Sequence, residues 1–353
     1  MSDNLHDRLT LVIPTHNRPA FLRRLFVYLA QVRDGSQIQI VDSSAPQARA
    51  QNEDMVREFS SKLRIRYRHI DAGMISKCRT IMEEDVTTPF CVFCADDDFL
   101  MPDAVLGSLE FLERSPDYSC AQGIMVSLCT GKDNKCYALP CYSLKNDSAV
   151  RRFRRLAGNW YSTFYSVYRT PLLTRAWQVT DENSDDRRAR IFPEILLSQL
   201  SVTQGKVKYL PGIYNLREEH TLNESAVTPE IADEEHCVEL YNQFREVMAS
   251  ELADSSGATL DHARAIVDSC YGYLRDGGAK RSRKKRTAKF KIRREIVRHF
   301  RRLMDALRGD RVLQRRRISM SDSACSSEAC QLAFELMLKY PHGIERESAA
   351  KAA

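Results

Sequence analysis

Within the first hundred residues, four strand-like runs alternate with segments of helical periodicity. The runs cover residues 9–14 (LTLVIP), 38–42 (IQIVD), 65–69 (IRYRH) and 90–94 (FCVFC). Between them, residues 20–33 place Phe21, Leu22, Leu25, Phe26, Tyr28 and Leu29 at helical spacing. Residues 48–59 read as a polar helix and 74–84 as a third helix. Parallel strands need long crossovers, which are right-handed, so this alternation predicts a parallel sheet covered by helices. The fold class expected is α/β, with a doubly wound nucleotide-binding half.

The last of these runs ends at Asp96, Asp97 and Asp98. Three adjacent carboxylates repel one another unless a cation or solvent intervenes. Hard divalent cations such as Mg2+ and Mn2+ prefer carboxylate oxygens and bridge to phosphates. Ligands of open α/β sheets bind outside the carboxyl ends of the strands. Position and chemistry therefore agree on a metal–phosphate site. The competing reading is a solvated acidic turn capping the helix that starts near Pro102. The pair Cys91 and Cys94 falls inside the strand run, with no second pair at zinc spacing, and reads as buried thiols.

Further along, residues 103–115 read as a helix, and 120–142 as strands and turns with a hairpin turn at Gly131-Lys132-Asp133-Asn134. A basic stretch, 151–155, precedes the aromatic run 160–165. Trp160, Tyr161 and Tyr165 fit either a sugar-stacking platform or the core. Residues 192–202 form a helix with Pro193 in its first turn, 207–210 a strand continued by 214–220, and the chain from Pro229 looks helical. Residues 319–330 are small, polar and weakly patterned.

Four segments in order carry a resemblance. They are Ile13-Pro14-Thr15-His16-Asn17-Arg18-Pro19, Val41-Asp42-Ser43-Ser44, Gly73-Met74-Ile75-Ser76-Lys77-Cys78-Arg79 and the acidic triplet. Each stands at a strand's carboxyl end or the start of the next helix. Their order and spacing resemble inverting family 2 glycosyltransferases, over roughly residues 9–220. The resemblance implies an A-type glycosyltransferase fold with a mostly parallel central sheet, followed here by a helical C-terminal extension. The expected organisation is a catalytic domain at 1–225, divided into a nucleotide-binding half (1–118) and an acceptor half (119–225), then a helical region at 226–353.

The resemblance also implies site residues. Pro14, Thr15, His16, Asn17 and Arg18 would shape the loop under the nucleotide, with Ser43 and Gly73 in the neighbouring loops. Asp42 would accept hydrogen bonds from the base. Arg79 would pair with the diphosphate or with an acidic residue, and Lys77 is either a second phosphate contact or an exposed helix lysine. Asp98 would coordinate a divalent metal, Mn2+ or Mg2+, with Asp96 contacting sugar or ribose and reaching the metal, Asp97 sharing it, and His220 completing the shell. Glu194, near the start of the 192–202 helix, matches the base that deprotonates the acceptor hydroxyl, with Asp185 and Asp186 as runners-up. The chain departs from the family pattern at Thr80, where asparagine is common, and at Ala95, where a leading aspartate is absent. The implied reaction moves a sugar from a nucleotide-diphospho-sugar to a glycan, lipid-linked or other hydroxyl acceptor. The alternatives are a related nucleotidyltransferase, whose Gly-rich loop after the first strand is missing here, and a catalytically silent adaptor, against which the acidic triplet speaks.

Charge is unevenly placed. Residues 280–317 hold 18 Lys or Arg against 3 acids, a local +15 in a chain of net +6, so the rest carries −9. Ile292, Ile296, Phe300, Leu303 and Leu307 repeat there at helical spacing, with Val297 and Met304 alongside. A basic amphipathic helix of this kind suits an anionic membrane surface, or core packing of its apolar stripe. No motif or aromatic interleaving supports nucleic acid. The N-terminal sequence has no apolar signal region, and no stretch approaches the roughly 20 apolar residues of a membrane span. With eleven cysteines, an odd number, a reduced cytoplasmic protein is expected, peripheral on the inner face of a membrane if the basic segment engages lipid.

Overall fold

The computed structural model describes residues 5–129, 135–182, 191–219, 234–275, 316–318 and 325–341. Strands β1 (Leu9–Thr15), β2 (Gln37–Asp42), β3 (Arg64–His69) and β4 (Phe90–Phe93) are parallel neighbours in the order β3-β2-β1-β4. Helices α1 (Pro19–Gln31), α2 (Pro46–Phe59) and α3 (Met74–Glu84) make the crossovers. Each of the first two starts with proline, whose missing N–H costs nothing in a first turn. After β3 the chain returns to the far side of β1, so the strand order reverses between β1 and β4. The carboxyl ends of those two strands therefore open onto a crevice where open α/β sheets bind ligands.

Alternation along β1 explains the two covering layers. Leu9, Leu11 and Ile13 point into one core, with Leu22, Leu25 and Phe26 of α1 and Met55 and Phe59 of α2. Val12 points into the other, with Val41, Phe93, and Cys78 and Ile81 of α3. Each such side chain, fully buried, contributes about 1.5–3 kcal/mol of transfer free energy. Cys91 and Cys94 are buried free thiols within this sheet region, and burial pushes both thiol pKa values up, that of Cys91 to about 12.

The second half continues the sheet with mixed directions. Strand β5 (Phe99–Leu100), helix α4 (Pro102–Glu113), and strands β6 (Tyr118–Cys129) and β7 (Lys135–Ala138) follow β4. Helix α5 (Ala149–Gly158), strand β8 (Val167–Arg169), helices α6 (Thr170–Glu182) and α7 (Ile191–Gln204), and strand β9 (Lys206–Glu219) complete it. Strand β8 is antiparallel to β4 and β6, while β9 runs parallel to β6 and antiparallel to β5. The pairing of β6 with β9 shifts register at Gln122/Ile124, where a Cβ on Gly123 would lie 2.9 Å from the Gly212 carbonyl. Gly212 itself has φ +116, so two glycines let β9 bulge and still continue. The expected hairpin of β6 and β7 forms, with Cys129 opposite Lys135; its turn, 130–134, lies outside the described residues.

Helices α8 (Glu234–Ser256) and α9 (Leu260–Tyr271) bury Tyr241, Phe244, Met248 and Ile266 against α5 and α7. Helix α10 (Glu328–Lys339) joins the opposite core through Ala333, Phe334 and Met337, against α1 and β9. The end of the basic segment departs from helical expectation. Strand β10 (Arg316–Ile318) pairs antiparallel with β7, Arg317 opposite Tyr137, because β7 is otherwise a sheet edge with unpaired backbone groups. The amphipathic repeat at 292–307 lies outside the described residues.

Candidate active site

The loops after β1 and β2 are bound to each other residue by residue. Thr15 stands opposite Asp42 in the parallel register. His16 Nδ1 donates to the Ser43 carbonyl at 2.8 Å, leaving Nε2 to accept from the Asn17 amide at 3.0 Å. Asn17 adopts φ +54, a left-handed turn that asparagine tolerates, and its Oδ1 accepts from the Ala45 N–H at 2.8 Å. The Lys77 ammonium is buried beneath, donating to the Thr15 carbonyl at 2.6 Å and to Ser43 Oγ at 3.0 Å. Lys77 therefore braces the two loops from inside. Gly73 is the N-cap of α3, with open space where a Cβ would stand.

These loops wall a cavity of about 580 Å³, lined by His16, Asn17, Ser43 to Pro46, Arg49, Ala50 and Glu53 of α2, His69 and Asp71. Asp42 lies behind that wall, with 0% exposure. Its Oδ1 accepts from the Ser44 N–H at 2.7 Å, and its Oδ2 from Asn52 at 2.9 Å and Tyr67 at 2.7 Å. Burial pushes the Asp42 pKa up, but these donors outweigh it and the net shift is downward. The carboxylate thus shapes the Ser43–Ser44 loop, and the pocket itself is faced by the loop's own polar groups.

Across the crevice from Thr15 stands the acidic triplet. Thr15 Oγ1 donates to Asp96 Oδ2 at 2.7 Å. Arg18 forks over two carboxylates, to Asp96 and, at 3.0 Å, to Asp97. Asp98 faces the other way. Its carboxylate accepts from the Tyr165 hydroxyl and from the Glu218 N–H at 3.3 Å. Burial raises the pKa of Asp96 and Asp98, and the charge of Asp97 raises both further. Arg18 opposes the rise at Asp96, and Arg217 and Tyr165 oppose it at Asp98.

Arg217 also faces Glu194. Burial raises the Glu194 pKa, while Arg217 and the Ser162 hydroxyl favour its charged form. The Glu194 side chain nonetheless reaches solvent, so protein crowds it on one side and water meets it on the other. Ser162 and Tyr165 belong to one irregular segment, which the Thr163 N–H ties to Ser198 of α7 at 3.3 Å. Arg217 therefore acts on both Asp98 and Glu194. Among the aromatics, Tyr161 is core, its hydroxyl donating to the Tyr142 carbonyl at 2.8 Å, and Trp160 is exposed.

The structure thus brings together Thr15, Arg18, Asp96, Asp97 and Asp98, and gathers His16, Asn17 and Ser43 around the adjacent cavity. Arg79 pairs with Glu83 along its own helix at 3.0 Å. Asp185, Asp186 and His220 lie outside the described residues. Three residues at the site have no motif to announce them. Arg217, Tyr165 and Arg24 reach it through the return of β9, the aromatic segment and the buried face of α1.

Residues 10–175 match the family model for Glycosyl transferase family 2. This segment is a family 2 glycosyltransferase domain. Its mixed, largely parallel α/β sheet fits the A-type fold, and the matched domain is that of a sugar-transferring enzyme. No curated protein matches the chain in sequence. Among solved structures, S. aureus TarS 1–349 is similar at 12% identity and TM-score 0.48, covering 79% of this chain and 93% of that one. A longer S. aureus TarS chain gives 12% identity and TM-score 0.44, over 76% of this chain and 55% of that one. The mannosyltransferase PcManGT from Pyrobaculum calidifontis, solved with GDP-Man and Mn2+, is similar at 14% identity and TM-score 0.42, over 76% of this chain and 69% of that one.

The acidic triplet offers carboxylate oxygens, the donors a hard divalent cation prefers. Asp98 is 2% exposed and holds hydrogen-bond donors but forms no ion pair among the described residues. A carboxylate so placed fits a hard cation, which would restore its charged form. Asp96 and Asp97 already share the Arg18 guanidinium. No cluster of three metal-binding side chains occurs among the described residues.

Proposed function

We propose that this enzyme transfers a sugar, with inversion and with a divalent metal, from a nucleotide-diphospho-sugar to an acceptor hydroxyl. The observation that carries this reading is the meeting of three buried carboxylates and two guanidinium groups at the β1/β4 reversal, where Arg18 follows directly on the Asn17 that lines the cavity walled by the β1 and β2 loops. The base and ribose occupy the cavity between His16 and Asp71. The diphosphate lies toward Arg18, Asp98 and Arg217. A metal held by Asp98 supplies positive charge to the departing diphosphate when bound. Arg18 holds Asp96 and Asp97 in place and adds positive potential at the same point. Glu194 accepts the acceptor's proton as the new oxygen–carbon bond forms at the anomeric carbon and the bond to the diphosphate oxygen breaks. Its raised pKa suits a general base.

The basic segment 280–317 is read as a contact with anionic lipid. Support comes from the surface next to the point where the described chain leaves α9. There α5 exposes Arg151 and Arg154, and the Phe153 ring stands 5.8 Å from Tyr271. Trp160 and Tyr273, beside these two helices, are exposed aromatics of the kind that sit at a membrane interface.

Release of nucleoside diphosphate from a panel of nucleotide-sugars tests the assignment. Glu194→Gln keeps the shape and removes the proton acceptor. Turnover should fall by about a hundredfold or more, with donor affinity retained. Turnover near the parent's would remove Glu194 from the reaction.

A further inference from the structure

Arg24 is a buried cation on α1, five residues beyond the motif that ends at Pro19. It lies on α1, facing inward, with the rings of Phe21 and Phe99 at 5.2 and 5.3 Å from its guanidinium carbon. Three hydrogen bonds leave its two terminal nitrogens. One nitrogen donates to Glu218 Oε2 at 2.6 Å and to the Tyr340 carbonyl at 2.9 Å. The other donates to the Asp97 carbonyl at 2.7 Å. The three acceptors belong to three separate parts of the fold: β9, the end of α10 and the acidic triplet.

Each acceptor has a reason to hold a cation. Tyr340 is the C-cap of α10, where the last carbonyls lack helical donors and the helix end carries partial negative charge. The Glu218 carboxylate is fully buried and requires a counter-charge. Glu218 also donates its own N–H to Asp98 Oδ1 at 3.3 Å. A continuous chain of contacts thus runs from the end of α10 through Arg24 to the backbone of Asp97, and through Glu218 to the carboxylate of Asp98. A planar guanidinium can address all three acceptors at once, whereas a lysine ammonium is a point charge on one nitrogen.

We propose that Arg24 is a positioning residue that couples the seating of α10 to the placement of Asp97 and Asp98, so that metal-dependent donor binding requires the C-terminal helix. The inference rests on the reading of the triplet as the metal–diphosphate site. It assigns to residues 325–341, some 230 residues from the triplet in sequence, a share in building the catalytic centre.

The test uses the full chain, with UDP and GDP as probes in calorimetric titrations with and without Mn2+, beside thermal melts. Arg24→Lys retains the charge near Glu218 but cannot span the three acceptors. Met337→Ala loosens α10 inside its core, touching no part of the triplet. Each variant should weaken Mn2+-dependent binding by about tenfold or more, and the double variant should lose little beyond either alone, as coupled sites do. Should Arg24→Lys fail to fold, Met337→Ala alone carries the test. Lowered melting temperature with parental Mn2+-dependent affinity would assign Arg24 and α10 to stability alone and overturn the inference. A parent that binds neither probe with Mn2+ would overturn the metal–diphosphate reading as well.

Discussion

Asp42 and Asp98 are both buried aspartates at strand ends, yet their surroundings act in opposite directions. Three donor groups surround Asp42 and hold its pKa below the usual 3.8; at Asp98, burial and the neighbouring Asp97 prevail. The first is held charged by protein donors, while the second has two donors that do not offset burial and the neighbouring charge. Asp42→Asn removes the charge and turns an amide toward the donors of Asn52 or Tyr67. The variant should lose about 2 kcal/mol or more of stability at neutral pH, the scale of charge-assisted bonds to a buried group. Because the folded pKa is depressed, that contribution is complete above the ordinary carboxylate value and fades as pH falls through the folded one. Urea melts of parent and variant should therefore differ at about pH 7 and converge toward about pH 3; an equal gap at both would show that the charge of Asp42 contributes nothing. The importance of the triplet was legible in sequence because it is local. The roles of Arg24, Arg217 and Tyr165 were not, since each is set by residues distant in sequence, as far as 316 positions for Arg24 and Tyr340.

At the scale of elements, the parallel half was legible almost to the residue. Its strands are buried on both faces or alternate cleanly, and α1 and α3 carry unbroken apolar spacing, while the polar α2 buries Met55 and Phe59. Helix α3, at Met74–Glu84, has the bounds its pattern gives. Helix α5 was hidden by its four arginines, which read as a basic stretch; yet Ala149, Phe153 and Leu156 are its buried face, and Arg152 is buried through bonds to the carbonyls of Val202 and Thr203. Strand β9 reads as two pieces because Pro211 and Gly212 interrupt it. The bulge against Gly123 absorbs that interruption, and the second piece delivers Arg217 and Glu218 to the triplet. Helix α10 follows a weakly patterned lead-in, and its end is bonded to Arg24, a contact that no local pattern encodes.

At the scale of the whole molecule, the C-terminal region divides between the two faces of the sheet. Helices α8 and α9 complete the core around α5 and α7, while α10 completes the core around α1. No helix among the described residues is long and apolar enough to cross a membrane. The charge separation remains: a basic segment of +15 follows a fold whose nearest surface carries exposed arginines and aromatics. Lipid attraction on the order of 1 kcal/mol per basic residue near the surface would add across such a segment and weaken with salt. The chain should co-sediment with vesicles rich in anionic lipid at low salt, release as salt rises and ignore neutral vesicles. Phe300→Ser with Leu303→Ser should reduce that binding through the apolar term. A parent that stays in the supernatant with anionic vesicles at low salt would end the lipid reading.

In the reading proposed here, Asp98 anchors the metal–diphosphate site. Calorimetric titration of UDP and GDP into the parent and Asp98→Ala, with and without Mn2+, tests it most directly. The parent should bind at least one of them far more tightly with Mn2+, and the variant should lose that metal-dependent gain while keeping the parent's circular dichroism. Metal-dependent affinity unchanged in Asp98→Ala would contradict the account.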